Sequence, residues 1–470
     1  MQSLFSRRRF LAAAATLPAA ASLFNGAAAS GTAAPGGPAP LNPLVRQRAD
    51  AQIFRHGDGY YYLTASVPEY DRLIIRRSPT LAGLAADDSE AVVWRRPAGG
   101  KLGGYIWAPE LHWVDGAWQL YFAAGDGGEP FRIRTYVLSC RDADPLTGRW
   151  TLLGQLQTPW DSFTLDSTLF SHRGVRYICW AQKEPGIETN SNLYLAPLAS
   201  PTSLARPPAR LTVPALDWEI QGYKVAEAPA VLARNGRLFI TYSASATDAR
   251  YCLGLLTVPD DADIMNPAVW QKSPQPVFVS STETSVYGPG HNSFTVDEQG
   301  RDILVYHGRD YRAIKGNPLF DPNRHTRLQR LYYQPDGTPD FGVPVGNGPL
   351  PERFSPAAQA GQFLILVGQG LRIGPAALPA TQFRTVPVNV GAESFLLSPI
   401  LRPDLALMAG PGGTVTLAPR AQATALICQD AGGGCVRLVM AGEPGRALAA
   451  ADERLTVAAA MTAAALWRVD

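Results

Sequence analysis

The sequence predicts an all-β chain: a five-bladed β-propeller followed by a β-trefoil-like C-terminal domain. Three observations predict it. A hairpin pattern recurs five times: an opening position that is polar in four of the copies, a short apolar strand, a turn ending in glycine, and a second strand rich in aromatic and β-branched residues. The copies begin at residues 50, 108, 166, 227 and 291, spaced by 58, 58, 61 and 64, which is near the length of a four-stranded blade with insertions. After Pro351 three loosely similar pieces close at 380, 423 and 463, a period of about 40. Nowhere does a long amphipathic helix pattern appear.

Taken in order, Ser6-Arg7-Arg8-Arg9-Phe10-Leu11 precedes a modestly apolar, alanine-rich run and the small residues Ala27-Ala28-Ala29. Residues 1–29 therefore read as a twin-arginine export signal, too short and too weakly apolar to stay in a membrane. A Gly/Ala/Pro lead-in, 30–42, follows as a disordered linker. The propeller is placed at 43–348, with its ring joined by the first strands near Leu44 to Arg48. The trefoil-like domain occupies 352–470. It is predicted to be an accessory unit that binds carbohydrate or caps one face of the propeller.

With 46% hydrophobic and 17% charged residues the chain can build real cores. A net charge of +2 argues against nucleic acid or an acidic membrane as partner and leaves neutral or weakly charged substrates. The five cysteines lack paired Cys-x-x-Cys spacing, so zinc is not indicated. Cys140, Cys179 and Cys252 read as buried small residues. Cys428 and Cys435 flank a glycine-rich loop that could close as a disulfide after export.

In a propeller the first strand of each blade lines the central channel, so residues at its opening converge on one axial pocket. Four of the five units open with, or hold near their opening, a residue able to exchange a proton or bind a polar ligand: Asp50, Asp166, Glu227 and His291. For any one alone, an ordinary turn residue is the simpler reading. Four together point to a site.

The motifs Arg48-Ala49-Asp50, Trp107-Ala108-Pro109-Glu110, Leu165-Asp166-Ser167, Glu227-Ala228-Pro229 and Gly288-Pro289-Gly290-His291, in this order and at blade spacing, resemble glycoside hydrolase family 43. The resemblance implies a five-bladed propeller that hydrolyses glycosides with inversion. It implies Asp50 as general base, Glu227 as general acid and Asp166 as the carboxylate that raises and orients the acid. It also implies substrate contacts at Trp107, His291 and Arg327. No cofactor is required, although a structural calcium on the propeller axis, facing His291 directly or through water, belongs to the resemblance. Glu110 is read as a blade-positioning residue.

The Trp107–His112 stretch resembles the exo-acting α-L-arabinofuranosidases of that family, and the tail resembles their B-type binding module, although it lacks the histidines of that module's sugar pockets. The expected substrate is plant cell-wall arabinan or arabinose-decorated xylan, met as a monomer in the periplasm or outside the cell with no membrane partner in the mature form. Endo-α-1,5-L-arabinanase, β-D-xylosidase and a non-catalytic sugar-binding propeller remain the alternatives.

Overall fold

Tight turns in which both central residues take positive φ set the blades. Asp115-Gly116 (φ 49° and 74°), Arg173-Gly174 (49° and 76°) and Asn235-Gly236 (53° and 70°) each join two long antiparallel strands. Such a turn matches the right-handed twist of the strands it connects. In the computed structural model, which describes residues 39–389 and 392–470, these hairpins grow into five antiparallel sheets. The export signal assigned to 1–29, and the linker as far as residue 38, lie outside the described residues. All described residues fall in one unit, Gly37–Asp470.

Blade 1 comprises Ala49–Arg55, Tyr61–Ser66, Arg72–Ser78 and Glu90–Arg95, and blade 2 comprises Ile106–Val114, Ala117–Ala124, Arg134–Cys140 and Thr151–Gln155. Blade 3 is built on Thr164–His172, Val175–Gln182 and Asn192–Ser200 with Ala209–Thr212 outside them. Blade 4 runs Ala226–Arg234, Arg237–Ala244, Cys252–Pro259, Gln271–Lys272. Blade 5 has only Tyr287–Val296, Asp302–Arg309 and His325–Arg330.

Its missing fourth position is taken by the chain's own beginning. Leu44 and Val45 donate to the Thr326 carbonyl, and Thr326 donates back to Val45. The expected ring closure near Leu44 to Arg48 is therefore observed. It starts earlier than expected, because Leu41–Asn42 pairs with Gly348–Pro349 just after the last blade. Asn42 is thus not linker: buried at 4% exposure, its side chain donates to the Leu328 and Val345 carbonyls and accepts from the Leu328 amide.

Between blades the facing sheets bury apolar side chains. Trp118 packs with Tyr62, Leu73 and Leu120 between blades 1 and 2, and Trp180 with Tyr121 and Val137 between blades 2 and 3. Both indoles are fully buried, and cutting either to alanine would cost about 3–5 kcal/mol.

From Glu352 a second arrangement begins. Three consecutive units, Glu352–Pro387, Ser394–Gly432 and Cys435–Val469, each send their first and last strands into one closed ring. The ring order is Leu426–Gly432, Ser394–Pro399, Gln382–Pro387, Glu352–Pro356, Trp467–Val469, Cys435–Met440 and back to Leu426–Gly432. The two middle strands of each unit form a hairpin: Phe363–Val367 with Gly370–Gly374, Leu405–Ala409 with Val415–Pro419, and Glu443–Ala451 with Arg454–Ala459. Phe354, Phe383, Leu397, Leu438, Leu448 and Trp467 fill the interior.

The two arrangements are joined by a buried arginine. Arg384, at 7% exposure, donates to the Gly346 and Asn347 carbonyls in the segment leaving blade 5. Cys140, Cys179 and Cys252 are buried as expected. The Cys428–Cys435 disulfide is not supported: in that hairpin Cys428 faces Leu438 and Cys435 faces Gly432, and both thiols are free.

Candidate active site

Every blade breaks its innermost strand near its opening, and blade 5 does so twice, with an additional slip between Tyr287 and Gly290. The pairing slips between Ala49 and Gln52, Trp107 and Glu110, Leu165 and Thr168, Glu227 and Ala230, and Gly290 and Ser293. Inside each of these five stands one non-glycine residue at positive φ: Asp50 (55°), Ala108 (44°), Asp166 (53°), Ala228 (53°) and His291 (40°). A bulge of this kind re-aims the adjoining side chains, at a strain of order 1–3 kcal/mol per left-handed residue.

Neighbouring blades take up the amides that the slips release. Ala108 donates to Ser66 Oγ (2.8 Å), His291 to Ser243 Oγ (2.8 Å), Ala228 to Asp166 Oδ2 (3.0 Å) and Asp50 to His307 Nδ1 (3.2 Å). The prolines of the second and fourth motifs, Pro109 and Pro229, follow the left-handed residue and bring no amide that would need a partner. Glu227 is not at the same position as Asp50, Asp166 and His291. It precedes the left-handed residue of its blade and shares its place with Trp107.

The bulges open on a cavity of about 780 Å3 whose walls include Asp50, Trp107, Asp166, Glu227, His291 and Arg324. Arg324 Nη1 lies 3.2 Å from Asp50 Oδ1, and its Nη2 donates to the Tyr70 hydroxyl at 2.8 Å. His291 Nδ1 is 3.4 Å from Asp50 Oδ1 and 3.9 Å from Asp166 Oδ2. Tyr251 donates from its hydroxyl to Glu227 Oε1 at 2.8 Å.

The three carboxyls titrate apart. Burial opposes ionisation of Asp50, but Arg324 and then His291 overcome it and hold the group well below the ordinary carboxylate range. Since burial also depresses His291, and His307 to about 3, the lasting cation beside Asp50 at neutral pH is Arg324. Glu227 is pushed up to about 7, chiefly by burial; the Tyr251 hydrogen bond opposes the rise and the charge of Asp50 adds to it. Asp166 is raised well above its usual range by burial, then by Glu227 and Asp50. Like-charge repulsion therefore contributes, but on Glu227 it comes from Asp50 and not from Asp166, the residue expected to supply it, and desolvation leads it.

Five of the six expected site residues meet in this cavity; Arg327 does not. It is fully buried within the final strand of blade 5, where it donates to Asp310, to Asn347 Oδ1 (2.9 Å) and to the Val345 carbonyl (3.3 Å). There it pins the segment leading to the C-terminal region, and Arg324 is the arginine at the site. Trp107 lines the wall but is only 8% exposed, one face stacked on Tyr105 at 5.6 Å and 12°. Glu110 is buried against His112 Nε2 at 3.0 Å, consistent with a positioning role. Arg324 and Tyr251 escaped the sequence reading because each falls just before a strand, where periodicity carries no signal.

Calcium takes six to eight oxygen ligands. The protein donors facing His291 fall short of that number: they are Asp50 and Asp166, Asp50 is already paired with the Arg324 guanidinium, and among the described residues no group of three or more His, Cys, Asp or Glu side chains is placed to hold a metal ion.

The profile of glycosyl hydrolases family 43 matches residues 40–339. The chain belongs to glycoside hydrolase family 43. Its bulged inner strands and central cavity are thus those of a family 43 propeller and glycoside hydrolase. This family 43 chain is 50% identical over 384 residues to alpha-L-arabinofuranosidase 43 of Humicola insolens, covering 80% of this chain and 79% of that protein. It is 53% identical over 344 residues to the extracellular exo-alpha-(1->5)-L-arabinofuranosidase of Streptomyces avermitilis, covering 73% of this chain and 71% of that one. The crystal structure of alpha-L-arabinofuranosidase from Lactobacillus brevis superposes with a TM-score of 0.63 at 51% identity, over 65% of this chain and 97% of the other.

Proposed function

We propose that this family 43 hydrolase is an inverting, exo-acting α-L-arabinofuranosidase that releases terminal arabinofuranosyl residues from arabinan or arabinoxylan side chains. One arrangement supports the mechanism: a single cavity sets Asp50 beside the Arg324 guanidinium, which favours its ionised form, and buries Glu227, which favours its protonated form. Asp50 takes a proton from water as the water oxygen bonds to the anomeric carbon. Glu227 gives its proton to the glycosidic oxygen as the bond between that oxygen and the anomeric carbon breaks. Asp166 accepts the Ala228 amide next to Glu227 and so orients the acid, while its own buried carboxyl keeps negative charge from accumulating. The choice of arabinofuranose rests on the names of the relatives at about half identity.

The C-terminal region is read as a β-trefoil, on the strength of its six-strand ring and three hairpins, and as an accessory domain that braces the propeller through Arg384. Export by the twin-arginine route is part of the same proposal. It is supported by the arginine motif of residues 7–9 and by the word extracellular in the name of the Streptomyces relative.

The test is the product profile from linear α-1,5-arabinan at the earliest time points, with the anomer of the released sugar followed by NMR. Monomeric arabinose of inverted configuration is the expected result. Early oligosaccharides would make the enzyme an endo-arabinanase, and release from β-xylosides alone would make it a xylosidase.

A further inference from the structure

The Tyr251 side chain has a place that the mechanism above does not yet use. It immediately precedes the third strand of blade 4 and is 2% exposed. Its hydroxyl donates to Glu227 Oε1, while its ring lies flat on His307, with centroids 5.7 Å apart and planes 2° apart. His307, fully buried in blade 5, accepts the Asp50 amide at Nδ1. Against another side of the ring lies the backbone of the blade 5 bulge: a Cβ on Gly290 would come within 2.3 Å of Tyr251 Cδ1 and Cε1.

We propose that Tyr251 is a positioning residue that selects which oxygen of Glu227 carries the transferable proton and sets the pH at which that proton is lost, held in place by His307 and the bare backbone of Gly290. The inference rests on Glu227 being the general acid. A phenol that donates to Oε1 makes that oxygen an acceptor, so the carboxyl proton belongs on Oε2, the oxygen left to face the leaving group. The same bond grows stronger once Glu227 is charged, because the acceptor becomes an anion. Tyr251 therefore eases proton release against the burial that retains it. The other charged or titratable groups around the acid are Asp50 from blade 1, Asp166 from blade 3 and Arg324 from the approach to the last strand, all buried in the same cavity. Of these neighbours Tyr251 is the hydrogen-bond donor to the Glu227 carboxylate.

The stacked pair also explains two small features of the fold. Gly290 sits outside the left-handed region, so its lack of a side chain answers to the Tyr251 ring and not to its own backbone angle. Among the described residues His307 Nε2 has no hydrogen-bond partner, which leaves the Asp50 contact at Nδ1 and the stack on Tyr251 to orient the ring.

The experiment is the pH dependence of kcat/KM on an arabino-oligosaccharide for wild type, Y251F, G290A and E227Q. Y251F keeps the ring and removes only the hydroxyl. Losing one hydrogen bond to a carboxylate should move the alkaline limb upward by about one pH unit and leave the acid limb in place. It should also lower kcat more for the oligosaccharide than for an aryl arabinoside, whose leaving group needs less protonation. G290A, which displaces the ring without replacing any ionisable group, should move the same limb in the same direction. An alkaline limb unmoved in both variants, with melting temperatures like wild type, overturns the proposal. E227Q separates it from the reading beneath: a limb that persists in E227Q removes Glu227 from the acid role, whereas a limb lost in E227Q but unmoved in Y251F and G290A removes only Tyr251.

Discussion

The propeller and the C-terminal region each hold a cavity of similar size, about 780 Å3 and about 630 Å3, yet they treat charge in opposite ways. In the propeller Asp50, Asp166, His291 and Arg324 are buried together. In the C-terminal cavity the charged lining residues, Arg372, Glu453 and Arg454, are all exposed, and no aromatic or histidine side chain accompanies them. Room for a ligand is common to both. What distinguishes the first is desolvation together with a buried cation: burial favours the protonated form of Glu227 while Arg324 holds Asp50 ionised, which supplies an acid and a base at one pH.

The comparison breaks most severely if that asymmetry is removed at the acid. E227Q should lower kcat on arabino-oligosaccharide by about 10²–10⁴-fold while arabinose binding, measured by calorimetry, persists. In the wild type the same group predicts that kcat/KM falls above about pH 7, as Glu227 loses the proton it must donate. Removing the cation beside the base comes next. Asp50 must be ionised, and Arg324 holds it so; R324M should therefore move the acid limb to higher pH. Leaving a buried charge unpaired should also cost about 3–5 kcal/mol in a denaturant titration.

A smaller effect tests the junction between the regions. R384M strips the donors from the Gly346 and Asn347 carbonyls and should cost about 1–3 kcal/mol with kcat unchanged. The smallest sharpens the contrast from the other side: E453A and R454A, at exposed positions of the second cavity, should alter stability by no more than about 0.5 kcal/mol and leave oligosaccharide hydrolysis as it was. A large loss of activity there would give the C-terminal cavity a part in substrate capture.

Much of this architecture was legible in the chain. Asp115-Gly116, Arg173-Gly174 and Asn235-Gly236 impose turns by their own backbone preferences, and the strands they join alternate or run apolar as buried sheets must. Repetition then exposed Asp50, Asp166, Glu227 and His291 as one set, since residues that recur at blade spacing face one axis. The details of that set were less legible. The one-residue offset of Glu227 depends on where each bulge falls, and a bulge is a property of strand pairing, with little local signature. Arg324 and Arg327 stand three positions apart in the same basic stretch. Only the pairing of Arg327 with Tyr306, and of Thr326 with Val45, sends one to the cavity and the other to Asp310.

By itself, then, the sequence determined what local chemistry can dictate: an all-β chain, five hairpin units, two regions parting near Pro351, and the carboxylates that recur where blades begin. Tertiary structure decided the rest. Bulges braced by side chains of adjacent blades aimed Glu227, Asp50 and Asp166 into one cavity, and burial together with Arg324, far away in sequence from Asp50, set the carboxyls apart in their titration. A titration is a property of surroundings, and those surroundings exist only once the ring has closed.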